Sequence, residues 1–256
     1  MAYRRTRGLV RLLFGTVPDD QIHRAYRFRV AFFFVLVVTI VVALFLIYQL
    51  TQTLYQLHLT EGERDRWQRP ADVIESLKLK DGNVVADLGC GAGYFALKLA
   101  PRVAEHGSVL AEDVLGESLT FLWIRALLRH QSNIRVIHGD PDDPHLPKGS
   151  VDAVLIANSY HEFTNPLAML DHTFRTLRSD GRLVVLDRGP RSYHGESREI
   201  QMQQYQIAAS VAEDEIRQRG FEILSRDNRF IDRPAFERPG DRQDDHVWWL
   251  IVARKP

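Results

Sequence analysis

The chain has 256 residues, 45% of them hydrophobic, which suffices for one α/β domain of ordinary size plus an appendage. Its 33 basic residues are balanced by 33 acidic ones, so charge gives no support for a nucleic-acid partner. A single cysteine, Cys90, excludes an intramolecular disulfide and any cysteine-based metal motif.

Residues 30–48 carry no charge and are almost entirely Val, Leu, Ile, Phe and Ala. As a helix this run spans roughly 28 Å, close to the ~30 Å hydrocarbon core of a bilayer. Arg24, Arg27 and Arg29 precede it, and Tyr48 and Tyr55 suit the opposite interface. The apolar run is too long for a cleavable signal, and no small-residue cleavage site follows it. The expected organisation is a basic segment at 1–29, a single transmembrane helix at 30–48, a linker helix at 49–66 and a domain at 67–256. The side of the membrane is contested. Seven arginines in the first 29 residues, against no Lys or Arg between 49 and 63, place the N-terminus in the cytoplasm and the large domain outside.

Beyond the linker, Trp67-Gln68-Arg69-Pro70 reads as a turn, and 71–77 as an amphipathic helix with Pro70 near its start. Residues 83–86 form a short apolar strand that runs into Asp87-Leu88-Gly89-Cys90-Gly91-Ala92-Gly93, and 94–100 begins a helix. Glycines at alternate positions let the backbone turn sharply and approach a bound molecule closely. The helix N-terminus behind them offers free N–H groups and a positive dipole end. A nucleotide-like ligand is expected. Dinucleotide folds use G-x-G-x-x-G, whereas this loop is D-x-G-x-G-x-G.

That loop resembles the S-adenosylmethionine (SAM) loop of the class I methyltransferases. The resemblance extends over 67–256 and implies a Rossmann-like α/β sheet of seven strands flanked by helices, here preceded by one transmembrane helix. It implies SAM as cofactor, held by Asp87, Gly89, Cys90, Gly91 and Gly93. Cys90 needs no role beyond being small in a tight turn. In similar small methyltransferases a Trp-Gln-x-Pro segment covers the cofactor, which makes Trp67 a candidate lid residue. SAM is made and kept in the cytoplasm, so the resemblance argues for a cytoplasmic domain, against the charge bias.

A second strand at 107–113 ends in Glu112 and Asp113, where a carboxylate can accept from two ribose hydroxyls. Asp113 fits the register of the methyltransferase pattern better than Glu112. The third strand, 133–140, ends in Gly139-Asp140, and the resemblance assigns Asp140 to the adenine amino group. Pro141 departs from the small residue often found next, which puts the adjoining cofactor contact in doubt. Asp140, Asp142, Asp143 and His145 read as a solvated turn rather than a metal site. The fourth strand, 150–157, is near-continuously apolar, as parallel central strands are, and leaves the sheet at Asn158-Ser159-Tyr160-His161-Glu162-Phe163. Amino-methylating DNA enzymes show two prolines after the acid or amide at this point, and both are missing. Asn158 is the last expected cofactor residue.

A helical repeat at 167–177 and a turn at Ser179-Asp180-Gly181 lead to a fifth strand at 182–187. A polar loop at 188–196, with Arg191, Tyr193 and His194, is long enough to reach a substrate pocket. Residues 200–219 read as one helix ended by Gly220, 221–224 begins a sixth strand, and 247–253 is the last. Methyl transfer from a sulfonium is a direct displacement, so alignment matters most and a base is needed only for a protonated nucleophile. His161 is the candidate base, with Glu162 to orient or replace it and Tyr160 to pack on substrate. A membrane anchor favours a small lipid-like substrate, with the bilayer as the other partner. An aminopropyl transferase of the same fold and a non-catalytic SAM-binding regulator are the alternatives.

Overall fold

The computed structural model describes residues 19–232 and 246–256, without the side chains of 19–23 and 25. Of the basic N-terminal segment, Arg4, Arg5, Arg7 and Arg11 lie outside the described residues. Helix α1 (Asp19–Trp67) runs unbroken through the apolar segment and the linker. Phe32, Phe33, Val41 and Leu46 are all exposed, and the apolar stretch is bare on every face. Among the described residues, this helix alone is long and apolar enough to cross a membrane. A helix apolar all round belongs in a core or a bilayer.

The chain divides into two compact units, 1–56 and Leu57–Pro256. In the second, the last turns of α1 lead through α2 (Pro70–Ser76) into β1 (Val84–Leu88), α3 (Ala96–Val103), β2 (Ser108–Asp113), α4 (Gly116–Leu128) and β3 (Ile134–His138). Next come β4 (Val151–Ala157), a 3₁₀ turn (Tyr160–Glu162), α5 (Pro166–Thr176) and β5 (Leu177–Pro190). The chain ends with α6 (Arg198–Gln203), α7 (Ala209–Gln218), β6 (Glu222–Ile231) and β7 (His246–Arg254).

Seven strands form one sheet in the order β3-β2-β1-β4-β5-β7-β6. β1 to β5 are parallel, and β7 inserts antiparallel between β5 and β6. Alternation along each strand fills two cores. Val85, Leu155 and Val184 face α2, α3 and α4, and Ala86, Val154 and Val185 face α5 and α7. Helices on both faces explain why β4 reads as a continuous apolar run. Sheet order reverses between β1 and β4, the position at which open α/β sheets bind ligands at their carboxyl edge.

Two elements differ from the sequence reading. Ser179-Asp180-Gly181 is an irregularity inside β5 rather than a turn before it. Val151 pairs with Leu177 but Ala153 with Arg182, and Asp180 takes a positive φ of 61° while its N–H donates to the Lys255 carbonyl (2.9 Å). The helix expected at 200–219 is broken between α6 and α7. Tyr205 takes φ 55°, and the Gln201 side chain accepts from the Ala208 N–H (2.7 Å), a partner that a continuous helix would withdraw.

Candidate cofactor and acceptor site

The glycine turn closes against the end of β2. The Cys90 N–H donates to the Glu112 carbonyl (2.9 Å) and the Gly91 N–H to Asp113 Oδ2 (2.8 Å). Gly89, Gly91 and Gly93 all have positive φ, 67°, 53° and 88°. A Cβ on Gly89 would meet Ser159 Cβ at 2.4 Å, and one on Gly93 would meet Leu122 Cδ1 at 2.3 Å. These two glycines let the turn pack on its neighbours. A Cβ on Gly91 would meet nothing within 4 Å, so this glycine keeps a space empty.

That space is a cavity of about 520 Å³. Its floor is Asp87, Gly89, Cys90 and Gly91, one side is Glu112, Asp113 and Leu115, and the other is Asn158, Ser159 and Glu162. The volume suits a small ligand, for which pockets run to roughly 300–1,000 Å³. Its acids are poised. Burial pushes the Asp87 carboxyl up to about 7, opposed by the Ala96 N–H and by Arg64. Burial likewise raises Glu112 to about 8, opposed by the Gly89 N–H. Asp87 Oδ2 and Glu112 Oε1 are buried with no hydrogen-bond partner, as groups awaiting donors would be. Glu112 fits only because position 139 is glycine, where a Cβ would fall 1.9 Å from Oε1. Asp113 also accepts from the Leu115 N–H (2.8 Å), yet each of its oxygens retains a second lone pair. Burial raises the Cys90 thiol, which keeps it protonated and inert.

The final turns of α1 form a wall that the sequence reading missed. Glu61 and Arg64 line the cavity. The Arg125 guanidinium, buried on α4, donates to Glu61 Oε1 and to the Ala92 carbonyl, tying α1 to the glycine turn. Arg64 lies over the Tyr94 ring (3.7 Å), and the Tyr94 hydroxyl donates to Asp65 (2.7 Å). The charged stretch around Glu61 reads as an exposed linker. Only a partner many residues away, Arg125, marks Glu61 as buried. Trp67 packs on Trp248 (5.4 Å between centroids) beside this cavity rather than over it.

Of the remaining expected residues, Pro141 lines the cavity and Gly93 stands just behind its floor. Asp140 does not reach it. Its carboxylate is exposed and pairs with His145 (3.1 Å), and its backbone bonds to that of Asp143 (2.8 Å). Asp143 in turn pairs with His172 (3.3 Å). Tyr160 is fully buried in the core, where its hydroxyl donates to Glu215 (2.5 Å), so it has no access to a substrate. His161 is buried as well and does not line the cavity, although its chain neighbours Ser159 and Glu162 do. Its Nδ1 bonds to Asp187 Oδ1 (2.9 Å). Nε2 has no hydrogen-bond partner and stands 3.6 Å from Glu162 Oε1. Asp187, at the carboxyl end of β5, also accepts from the His161 and Arg188 N–H groups. It went unnoticed because sequence gives no register between β4 and β5. In the 188–196 loop, Arg191 pairs with Asp232 (2.8 Å), while Tyr193 and His194 bond locally to Glu196.

The sequence pattern of the family described as "Methyltransferase domain" matches residues 85–181, the stretch that carries the glycine turn and the two acids that end β2. Over this stretch the chain resembles methyltransferase domains, and its seven-strand sheet has the fold of solved SAM-dependent methyltransferases. The same fold appears in the crystal structure of a SAM-dependent methyltransferase from Aquifex aeolicus. That match has a TM-score of 0.60 and 21% identity over 73% of this chain and 90% of that one. Among curated relatives, a ubiquinone/menaquinone biosynthesis C-methyltransferase of Coxiella burnetii is 28% identical over 48% of this chain and 49% of its own length. Nocamycin O-methyltransferase of Saccharothrix syringae is 32% identical over 43% of this chain and 40% of its own. The chain thus spans about half or less of the curated relatives it matches. The cofactor of the methyltransferase domain is S-adenosyl-L-methionine. The cavity fits it: Asp87, Glu112 and Asp113 line it, two of them with a buried unpartnered carboxyl oxygen, and Gly91 leaves the backbone open to close approach.

Proposed function

We propose that this protein is a membrane-anchored methyltransferase that transfers the methyl group of SAM to a small lipophilic acceptor. The observation that carries the reading is the cavity at the switch between β1 and β4, bounded by Gly91 and the buried acids Asp87, Glu112 and Asp113. Asp113 and Glu112 would take the ribose hydroxyls, Asp87 the methionyl ammonium, and Gly89 and Gly91 the close backbone approach. Pro141 and Asn158 would border the adenine and methionyl ends. Asp140 would act on the adenine side only through its backbone position. The bound cofactor supplies an activated methyl on a sulfonium, and the chain supplies alignment and excludes water.

His161 is the proposed base, with Asp187 holding its tautomer and Glu162 at the cavity wall beside it. Substrates that need no deprotonation would bypass this pair. The 30–48 segment is the proposed anchor, and its tether raises encounter with bilayer-dissolved acceptors. The domain is placed in the cytoplasm, where SAM is made, against the arginine bias of the N-terminus. The relatives modify carbon and oxygen by name, and the acceptor atom here follows neither by itself.

The direct test incubates the full chain with radiolabelled SAM and extracted membrane lipids, then proteins, as separate acceptors. Label in a lipid-soluble small molecule, lost in His161→Gln with SAM affinity retained, supports the assignment. Cofactor binding without transfer to any fraction would instead favour a non-catalytic module.

A further inference from the structure

Beside the cofactor cavity lies a second one of about 320 Å³, on the β4, β5 and β7 side of the sheet edge. Arg64 and Asn158 border both. The rest of its lining among the described residues is Trp67, Gln68, Arg188, His246 and Trp248. Its polar groups are built in yet unsatisfied. Gln68 is fully buried, its Oε1 accepts from Arg64 Nε (2.7 Å), and its Nε2 has no partner. Arg188 Nε is buried without a partner, and no acid pairs with Arg188 among the described residues. Asn158 adds a carboxamide whose Oδ1 is unpartnered, and rotation about its last bond presents either end. A buried guanidinium nitrogen and a buried amide left without acceptors are costly unless a ligand supplies them.

We infer that this second cavity is the anion subsite of the methyl acceptor: Arg188 and Gln68 Nε2 bind a carboxylate or phosphate, with Trp67 and Trp248 flanking the group that bears it. The inference rests on the methyltransferase reading and narrows its acceptor class to lipophilic or aryl acids. Position separates it from the cofactor. The ribose-side acids lie at the end of β2 and the glycine turn follows β1, whereas Arg188 and Trp248 stand on β5 and β7, on the far side of β4. The two cavities adjoin at Asn158, where a methyl group could pass between in-line partners. The Arg188 guanidinium also stands 6.0 Å from the centroid of the Trp248 ring.

The test uses the full chain in detergent micelles loaded with S-adenosylhomocysteine. Benzoate and phenyl phosphate are titrated by calorimetry and tryptophan fluorescence, with benzamide as the neutral control. Expected is saturable binding of at least one anion, at least tenfold tighter than benzamide. Arg188→Gln and, separately, Gln68→Leu should weaken that anion at least tenfold while homocysteine-cofactor affinity stays within twofold. Equal binding of anions and benzamide, or no binding by any probe, overturns the inference and leaves the cofactor site intact. A parallel loss of cofactor affinity in Arg188→Gln also overturns it, because the arginine would then serve the methionyl carboxylate. Failure of the wild-type chain to bind S-adenosylhomocysteine would refute the methyltransferase reading itself.

Discussion

Gly89 and Gly91 stand two residues apart in one turn, yet alanine at each should fail for a different reason. Both have positive φ, so either alanine costs about 1–2 kcal/mol in backbone strain. At Gly89 the new methyl lands 2.4 Å from Ser159 Cβ and 2.6 Å from Ser159 Oγ, which adds about 1–3 kcal/mol of overpacking. At Gly91 the methyl meets no protein atom and enters the cofactor cavity. Gly91→Ala should therefore cost only the strain in stability but at least tenfold in affinity for S-adenosylhomocysteine. Gly89→Ala should lower stability by about 2–5 kcal/mol, the sum of the two terms. Ser159→Gly, which removes the clashing atoms, should recover the overpacking part in Gly89→Ala and nothing in Gly91→Ala. Chemical denaturation of the three single variants and the two doubles, paired with calorimetric titration, reads both quantities. Wild-type cofactor affinity in Gly91→Ala, or equal coupling of Ser159→Gly to both alanines, would refute the assignment of the empty space to the ligand.

Affinity for SAM should rise with pH between about 5 and 8. Burial holds Asp87 at about 7 and Glu112 at about 8, so the free site is largely protonated at low pH, whereas ligand ammonium and ribose hydroxyls favour the ionised acids. Binding should release protons, read as heats that differ between phosphate and Tris buffers, and buffer-independent heats with pH-independent affinity would contradict this. The same raised values make the unliganded fold less stable as pH climbs from about 4 to about 8, because the unfolded chain gives up these protons first. Glu61→Gln should destabilise the domain by about 3–5 kcal/mol by stranding the buried Arg125 charge. A loss under 1 kcal/mol in denaturant titration would mean the pair does not hold α1 to the glycine turn. Tyr160→Phe should reduce stability through the lost Glu215 bond while leaving cofactor affinity unchanged, and an affinity loss would restore Tyr160 to the site.

The glycine turn, Asp113 and the strands leading into them were legible because each is written locally, in spacing and in apolar runs a few residues long. The bulge in β5 and the break between α6 and α7 were not. Asp180 and Tyr205 adopt positive φ for the sake of partners at Lys255 and along Gln201–Ala208, and residue type alone announces neither. Site residues divided the same way. Gly91 and Asp87 follow from the motif, but Glu61, Arg64, Arg125 and Asp187 enter through contacts between elements distant in sequence. Tyr160 and Asp140 occupy the positions the pattern implies while their side chains turn elsewhere, one into the core and one toward His145. Chain position located the sheet edge, and side-chain packing decided which groups face the cavity.

The claim that all else depends on is that the space above Gly91 receives the adenosyl cofactor. Calorimetric titration of the full chain in detergent with SAM, followed by displacement with S-adenosylhomocysteine, measures this directly. The account predicts one saturable site per chain, competitive between the two ligands and lost in Gly91→Ala. Absence of heat with either ligand from a folded wild-type chain would contradict it.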